Sequence, residues 1–202
     1  MTASLDDLLA FTSFTHDVRN VKRSMWVRNE EQLENDSEHS FQIALMALYL
    51  TEQNKLSLDA YKAMGLALVH DILEVYSGDT YVYGTEQDKA SKQEREAQAI
   101  ARLKRQWPSQ RLMLNLIDEY ETKATAEAKF VYALDKLVPI LNNVLDEGRN
   151  WQHDHITLDQ LQEAKSKKIT VDAEIGRYYE LVLALLRNKP ELFSGKNHPE
   201  SC

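Results

Sequence analysis

The sequence predicts an all-α protein, a single-domain helical bundle. Three observations carry that reading. Apolar residues recur at three- and four-residue spacing in nearly every segment, which is the period of one helix face. Glycine and proline are scarce, at 6 and 4 of 202 residues, so few places break a helix. No sustained alternation of Val, Ile and Thr marks a strand. With 43% hydrophobic and 28% charged residues the composition suits one substantial core and excludes the disordered class. One domain is expected over residues 1–202, with its main body at about 5–150, C-terminal helices at about 157–188 and a frayed tail over 189–202.

The first helix is expected from about Leu5 to Val18, with Leu8, Leu9, Phe11 and Phe14 as its inner face. A polar stretch, Arg19 to Asp36, links it to a second helix beginning at Ser37, a good N-cap residue. The third runs from about Ser57 or Leu58 to Ser77 and is closed by Gly78, the residue type favoured just past a last turn. Its lower part, "AMGLALVHDILEVY", is apolar nearly all round, which predicts a place at the bundle centre. Between Tyr81 and Ala90 the chain reads as a polar turn. "KASKQEREAQAIARLKRQW" then reads as a charged helix with a narrow apolar stripe through Ala97, Ile100, Ala101 and Leu103, stopped by Pro108. Further helices are expected at about Ser109–Tyr120, Ala124–Glu147, Leu158–Lys167 and Val171–Asn188.

A net charge of -8 gives no support to sequence-independent attraction to the phosphate backbone of DNA or RNA. A small anionic ligand stays open, because one local arginine is enough to hold a phosphate. Cys202 is the only cysteine, which excludes an internal disulfide and fits a reducing compartment. "MTASLDDLLAF" has no basic segment ahead of a long apolar core, and no apolar run reaches membrane-spanning length. A cytoplasmic protein with neither a membrane nor a nucleic-acid polymer as partner is expected.

Chemistry concentrates in "VHDILEVYSGD". His70 and Asp71 are adjacent, Glu74 follows His70 by four positions on the same helix face, and Asp79 lies just past Gly78. Burying these groups around so apolar a helix is costly unless each charge is paired or bound to a metal. "DSEHSFQIALMALYL" sets His39 at the edge of another apolar run, and Asp135 interrupts the stripe of Val131, Leu134, Val138 and Leu141. Together His39, His70, Asp71 and Asp135 supply two imidazoles and two carboxylates, a set suited to Mn, Co, Ni, Zn, Fe or Mg. No histidine occurs between His70 and His153, so one divalent ion per chain is expected.

The order H...HD...D, with "SEHS", "HDILE" and "GD", resembles the HD-domain superfamily of metal-dependent phosphohydrolases. More narrowly it resembles the bacterial 5'-deoxynucleotidases of the YfbR type and their eukaryotic and archaeal relatives. The likeness runs over about residues 5–150, the expected metal-site core. It implies His39, His70, Asp71 and Asp135 as metal ligands and Glu74 as the acid that handles the proton of the attacking water. Asp79 matches a second site carboxylate that contacts the sugar or assists catalysis. "KRSMWVRN" resembles a stretch whose Arg, here Arg23, binds the substrate phosphate and whose Trp, here Trp26, shapes the nucleoside pocket.

The expected activity is therefore phosphate release from (deoxy)nucleoside 5'-monophosphates, with (deoxy)nucleoside triphosphohydrolysis or another phosphoester hydrolysis of the HD type as the alternative. A different class is a non-catalytic, metal-stapled nucleotide-sensing module; Glu74 and Asp79 argue against it, since a purely structural site needs neither. Blander readings stand beside each residue: Glu74 as a salt-bridge partner, Asp79 as a turn cap, Arg23 as a solvated charge, Trp26 as a core or interface anchor. "WQHDH" reads as an exposed polar loop rather than a second metal site. The apolar helices after Ala124 and "IGRYYELVLALL" predict a homodimer.

Overall fold

Helix α7 (Ala126–Leu145) is the axis of the molecule because it is apolar on nearly every face: Phe130, Val131, Leu134, Leu137, Val138 and Ile140 are all buried. The computed structural model describes residues 2–79 and 86–193, and of residues 86–93 only the backbone. Around α7 pack α2 (Asp36–Gln53), α3 (Ala60–Val69), α6 (Arg111–Thr122), α9 (Leu158–Ile169) and α10 (Ala173–Arg187). A smaller apolar cluster of Phe14, Leu73, Leu103, Trp107 and Ile117 joins α1 (Leu5–Asn20) and α5 (Glu86–Gln106) to this body. The all-α expectation is borne out.

Several local expectations need correction. The polar stretch after α1 contains an antiparallel hairpin, β1 (Lys22–Trp26) and β2 (Leu33–Asn35), irregular between the pairs Lys22–Asn35 and Trp26–Leu33. Strands this short and uneven leave no alternation to read. Helix α2 is capped by Asn35, whose side chain takes the Ser37 and Glu38 N–H groups while Glu38 returns a bond to the Asn35 N–H; Ser37 lies inside the helix. The third helix is not continuous. It ends at Val69, and the chain turns through residues 70–73 before a single further turn, α4 (Glu74–Ser77). Nor is it the most central, since Leu68 is exposed.

On α1 only Phe14 of the expected inner face is buried, while Leu8 and Leu9 are 57% and 60% exposed. On α5 the inner stripe is Ala99, Leu103 and Trp107, and Ala97 and Ala101 face outward. "WQHDH" is mostly helix α8 (Arg149–His153), with Trp151 buried and His153 exposed. The chain is ordered past the expected start of the frayed tail. Pro190–Leu192 forms a 3-10 turn, Leu192 is buried and Phe193 stacks on Trp151 at 4.7 Å. Residues 80–85 and 194–202, which hold half of the expected polar turn and most of the expected tail, lie outside the described residues, and the rest of that turn, from Glu86, belongs to helix α5.

Candidate metal centre

Each candidate ligand is delivered by a buried stripe. On α2 the residues Asp36, His39, Ser40, Ile43, Ala47 and Leu50 recur at three- and four-residue spacing and all are buried, so His39 faces α7. Asp135 comes from the middle of α7, where Pro139 four residues on has no N–H to offer its carbonyl. His70 and Asp71 sit in the turn after α3. There Ile72 donates to Val69 O at 3.2 Å and Glu74 to Asp71 O at 2.9 Å, the tight three-residue pattern. That turn, rather than a continuous helix face, brings His70, Asp71 and Glu74 to one cavity.

One ligand atom from each of His39, His70, Asp71 and Asp135 lies within 4.8 Å of the others. Asp135 Oδ1 is 3.1 Å from His39 Nε2 and 3.7 Å from His70 Nε2. Asp71 Oδ2 is 3.0 Å from His70 Nε2, yet Nε2 has no aligned hydrogen-bond partner. The reason lies on the other ring nitrogen: His70 Nδ1 donates to Ala67 O at 2.7 Å, which turns Nε2 toward the cluster. Asp135 Oδ2 is already occupied, accepting from Tyr120 Oη at 2.9 Å and from Lys136 Nζ at 2.5 Å. Oδ1, in contact with His39 Nε2, is therefore the oxygen that faces the cluster. An orphaned, buried imidazole nitrogen beside two carboxylate oxygens fits a divalent cation.

Electrostatics in the metal-free protein agree. His70 is raised to about 10: burial opposes its charge, but Asp71 and Asp135 outweigh it. Glu74 is pushed up to about 10 by burial and by Asp71, Asp36 and Asp79. Asp36 is raised to about 7, mainly by burial. So many acids around one point call for positive charge.

Arg23 supplies part of it. From β1 it reaches Asp71 at 2.5 Å, Glu34 at 3.3 Å and Asp36 at 3.4 Å. Asp79 lies close to the same group, 3.5 Å from the Ser24 hydroxyl. Trp26 is set apart from the cluster: its N–H donates to Asn150 Oδ1 at 3.1 Å and Arg149 lies over its ring at 5.3 Å. Residues the sequence reading missed are Glu34, Asp36, Tyr120 and Lys136. Asp36 had a signal, since it precedes His39 by three positions on the same stripe. Asp36, Asp71 and Glu74 also form an all-carboxylate triad that shares Asp71 with the first cluster.

A model of the HD domain matches residues 15–175. The chain belongs to the HD-domain family. Among HD-domain relatives, the 5'-deoxynucleotidase of Danio rerio is 34% identical over 140 residues, 68% of each chain. That of Bos taurus is 36% identical over 138 residues, 67% of this chain and 65% of the relative. The match spans about two thirds of the length of these relatives. The crystal structure of a "predicted metal-dependent phosphohydrolase" from Magnetospirillum magnetotacticum is 29% identical, covers 96% of this chain and 100% of its own, and superposes with a TM-score of 0.78.

Proposed function

We propose that this HD-domain protein is a metal-dependent phosphomonoesterase, a 5'-deoxynucleotidase that releases phosphate from (deoxy)nucleoside 5'-monophosphates. The observation that carries it is the convergence of two imidazoles and two carboxylates around an orphaned His70 Nε2, with Glu74 beside them. The relatives named 5'-deoxynucleotidase support the substrate class. His39, His70, Asp71 and Asp135 hold one divalent ion, which when bound polarises a phosphoryl oxygen and acidifies water. Glu74, its Oε2 buried without a partner, takes the proton of the attacking water. Arg23 neutralises nonbridging phosphate oxygens, Asp79 faces the sugar, and Trp26 borders the nucleoside on the hairpin side.

We further assign residues 1–202 to one domain and the protein to the cytoplasm. Among the described residues no helix is long and apolar enough to cross a membrane. Pairing as a homodimer is supported by exposed Leu5, Leu8 and Leu9 on α1 and Phe41, Leu45 and Tyr49 on α2. The C-terminal helix offers less than its sequence suggests, because Ile175, Tyr179, Leu183 and Leu186 are buried.

The test is a screen of nucleotides with Mn, Co, Mg, Ni, Zn and Fe, in which both products are identified. Orthophosphate and nucleoside from monophosphates are expected. Faster release of triphosphate from nucleoside triphosphates would replace this substrate assignment.

A further inference from the structure

In the metal-free protein Arg23 divides its guanidinium among three carboxylates, Asp71, Asp36 and Glu34, and reaches the cluster from the hairpin side. Lys136 reaches it from the cavity side. Together with His70, Asp71 and Glu74, the cavity wall includes Lys136, Lys123 and Tyr132. The Tyr132 ring lies under both ammonium groups, 4.5 Å from Lys123 Nζ and 5.4 Å from Lys136 Nζ.

An ammonium carries three donors and no acceptor. Lys136 gives one to Asp135 Oδ2 at 2.5 Å and makes no further hydrogen bond with a described residue. Its side chain keeps 26% of its surface, on the cavity side. Asp135 Oδ1 points the other way, to His39 and His70. When that oxygen shares its charge with a cation, the one carboxylate serves two positive centres and compensates the Lys136 ammonium only in part. Two positive centres flanking one void make a receptor for a compact dianion.

We propose that Lys136 is a phosphate-binding residue of this site, its ammonium contacting a nonbridging oxygen of the phosphomonoester. The role rests on the phosphomonoesterase reading and deepens it: Arg23 and Lys136 hold the phosphoryl group from opposite carboxylates of the cluster. Tyr120 provides the control, because it bonds the same Asp135 oxygen at 2.9 Å without bringing a charge. A purely structural Lys136 behaves as Tyr120 does; a phosphate-binding Lys136 does not.

The experiment titrates the Mn-loaded protein with inorganic phosphate by calorimetry, with Mn content and affinity measured in parallel. Lys136→Gln is expected to weaken phosphate binding by about 10-fold or more while Mn affinity changes far less. Lys136→Arg should recover part of the loss, and Tyr120→Phe should leave phosphate affinity close to wild type. Lys136→Met, which keeps the aliphatic stem, gives the same reading should Lys136→Gln not fold. Unchanged phosphate affinity in a folded Lys136→Gln or Lys136→Met protein overturns the proposal. So does a loss of phosphate binding that only follows the loss of Mn. A wild-type protein that neither binds phosphate nor releases it from any monoester removes the phosphomonoesterase reading as well; turnover in the wild type with unchanged affinity in Lys136→Gln removes only the role of Lys136.

Discussion

His70 donates its Nδ1 proton to the carbonyl of Ala67 at 2.7 Å, three residues earlier on α3, and this one bond decides what the other nitrogen can do. A carbonyl only accepts, so Nδ1 must carry hydrogen and Nε2 is the atom left for a metal. In the metal-free protein Nε2 holds a proton instead, since Asp71 and Asp135 keep the ring charged to about pH 10.

Metal binding should therefore release protons. At pH 7 about one proton from His70, and a further one where Glu74 ionises beside the cation, is expected per bound ion. Affinity for Mn should rise with pH by about tenfold per unit for each proton released between pH 6 and 9. Calorimetry in buffers of different ionisation heat reads the proton count. A pH-independent affinity would contradict the charged state assigned to the metal-free His70.

The same shifts set the pH dependence of stability without metal. His70 is raised from 6.5 to about 10 and Glu74 from 4.5 to about 10, so the folded state binds more protons than the unfolded one across that window. Stability must then fall as pH rises from about 6 to 9. Metal loading should remove most of that slope, because the bound cation replaces the protons. Thermal melts of chelated and Mn-loaded protein at several pH values make the comparison.

Arg23 should matter twice. With Arg23 in its proposed role as a charge-assisted partner of the phosphate, Arg23→Ala should lower kcat/KM by on the order of 100-fold, with Arg23→Lys recovering part. It also leaves Glu34, Asp36 and Asp71 facing one another, so the melting temperature of the metal-free protein should drop. An activity loss with no change in that temperature would mean that the three carboxylates find other partners.

Gly148 tests the fold rather than the chemistry. Its φ is +77°, and a Cβ there would lie 1.9 Å from the Leu192 carbonyl oxygen. Gly148→Ala must displace the C-terminal 3-10 turn and strain the backbone, a loss of about 3 kcal/mol. Chemical denaturation measures it, and a loss below about 1 kcal/mol would show that the turn is not held against α8 as described.

The site was more legible in the sequence than the elements that carry it. A charge on an apolar stripe is conspicuous because burial makes it costly, which is why His39, His70, Asp71 and Asp135 stand out. The break after Val69 was not, since "AMGLALVHDILEVY" contains no proline and its one glycine, Gly65, lies inside α3; the turn is held by packing of α4 on α5 and α1. Periodicity also misjudged α1, because Leu5, Leu8 and Leu9 announce an apolar face without saying what covers it. Lys136 was invisible for a simpler reason. On a helix wheel it is one more lysine, and only the fold shows that it bonds a candidate ligand.

In the proposed site the buried cluster holds the metal and Glu74 works on the water beside it. Metal content and phosphate release from a deoxynucleoside monophosphate, measured side by side in wild type, Asp71→Ala and Glu74→Ala, test it most directly. Wild type is expected to bind one ion per chain at the four-residue cluster, Asp71→Ala to lose metal and turnover together, and Glu74→Ala to keep the metal while turnover falls by on the order of 100-fold or more. Full turnover in Glu74→Ala, or full metal content in Asp71→Ala, would contradict it.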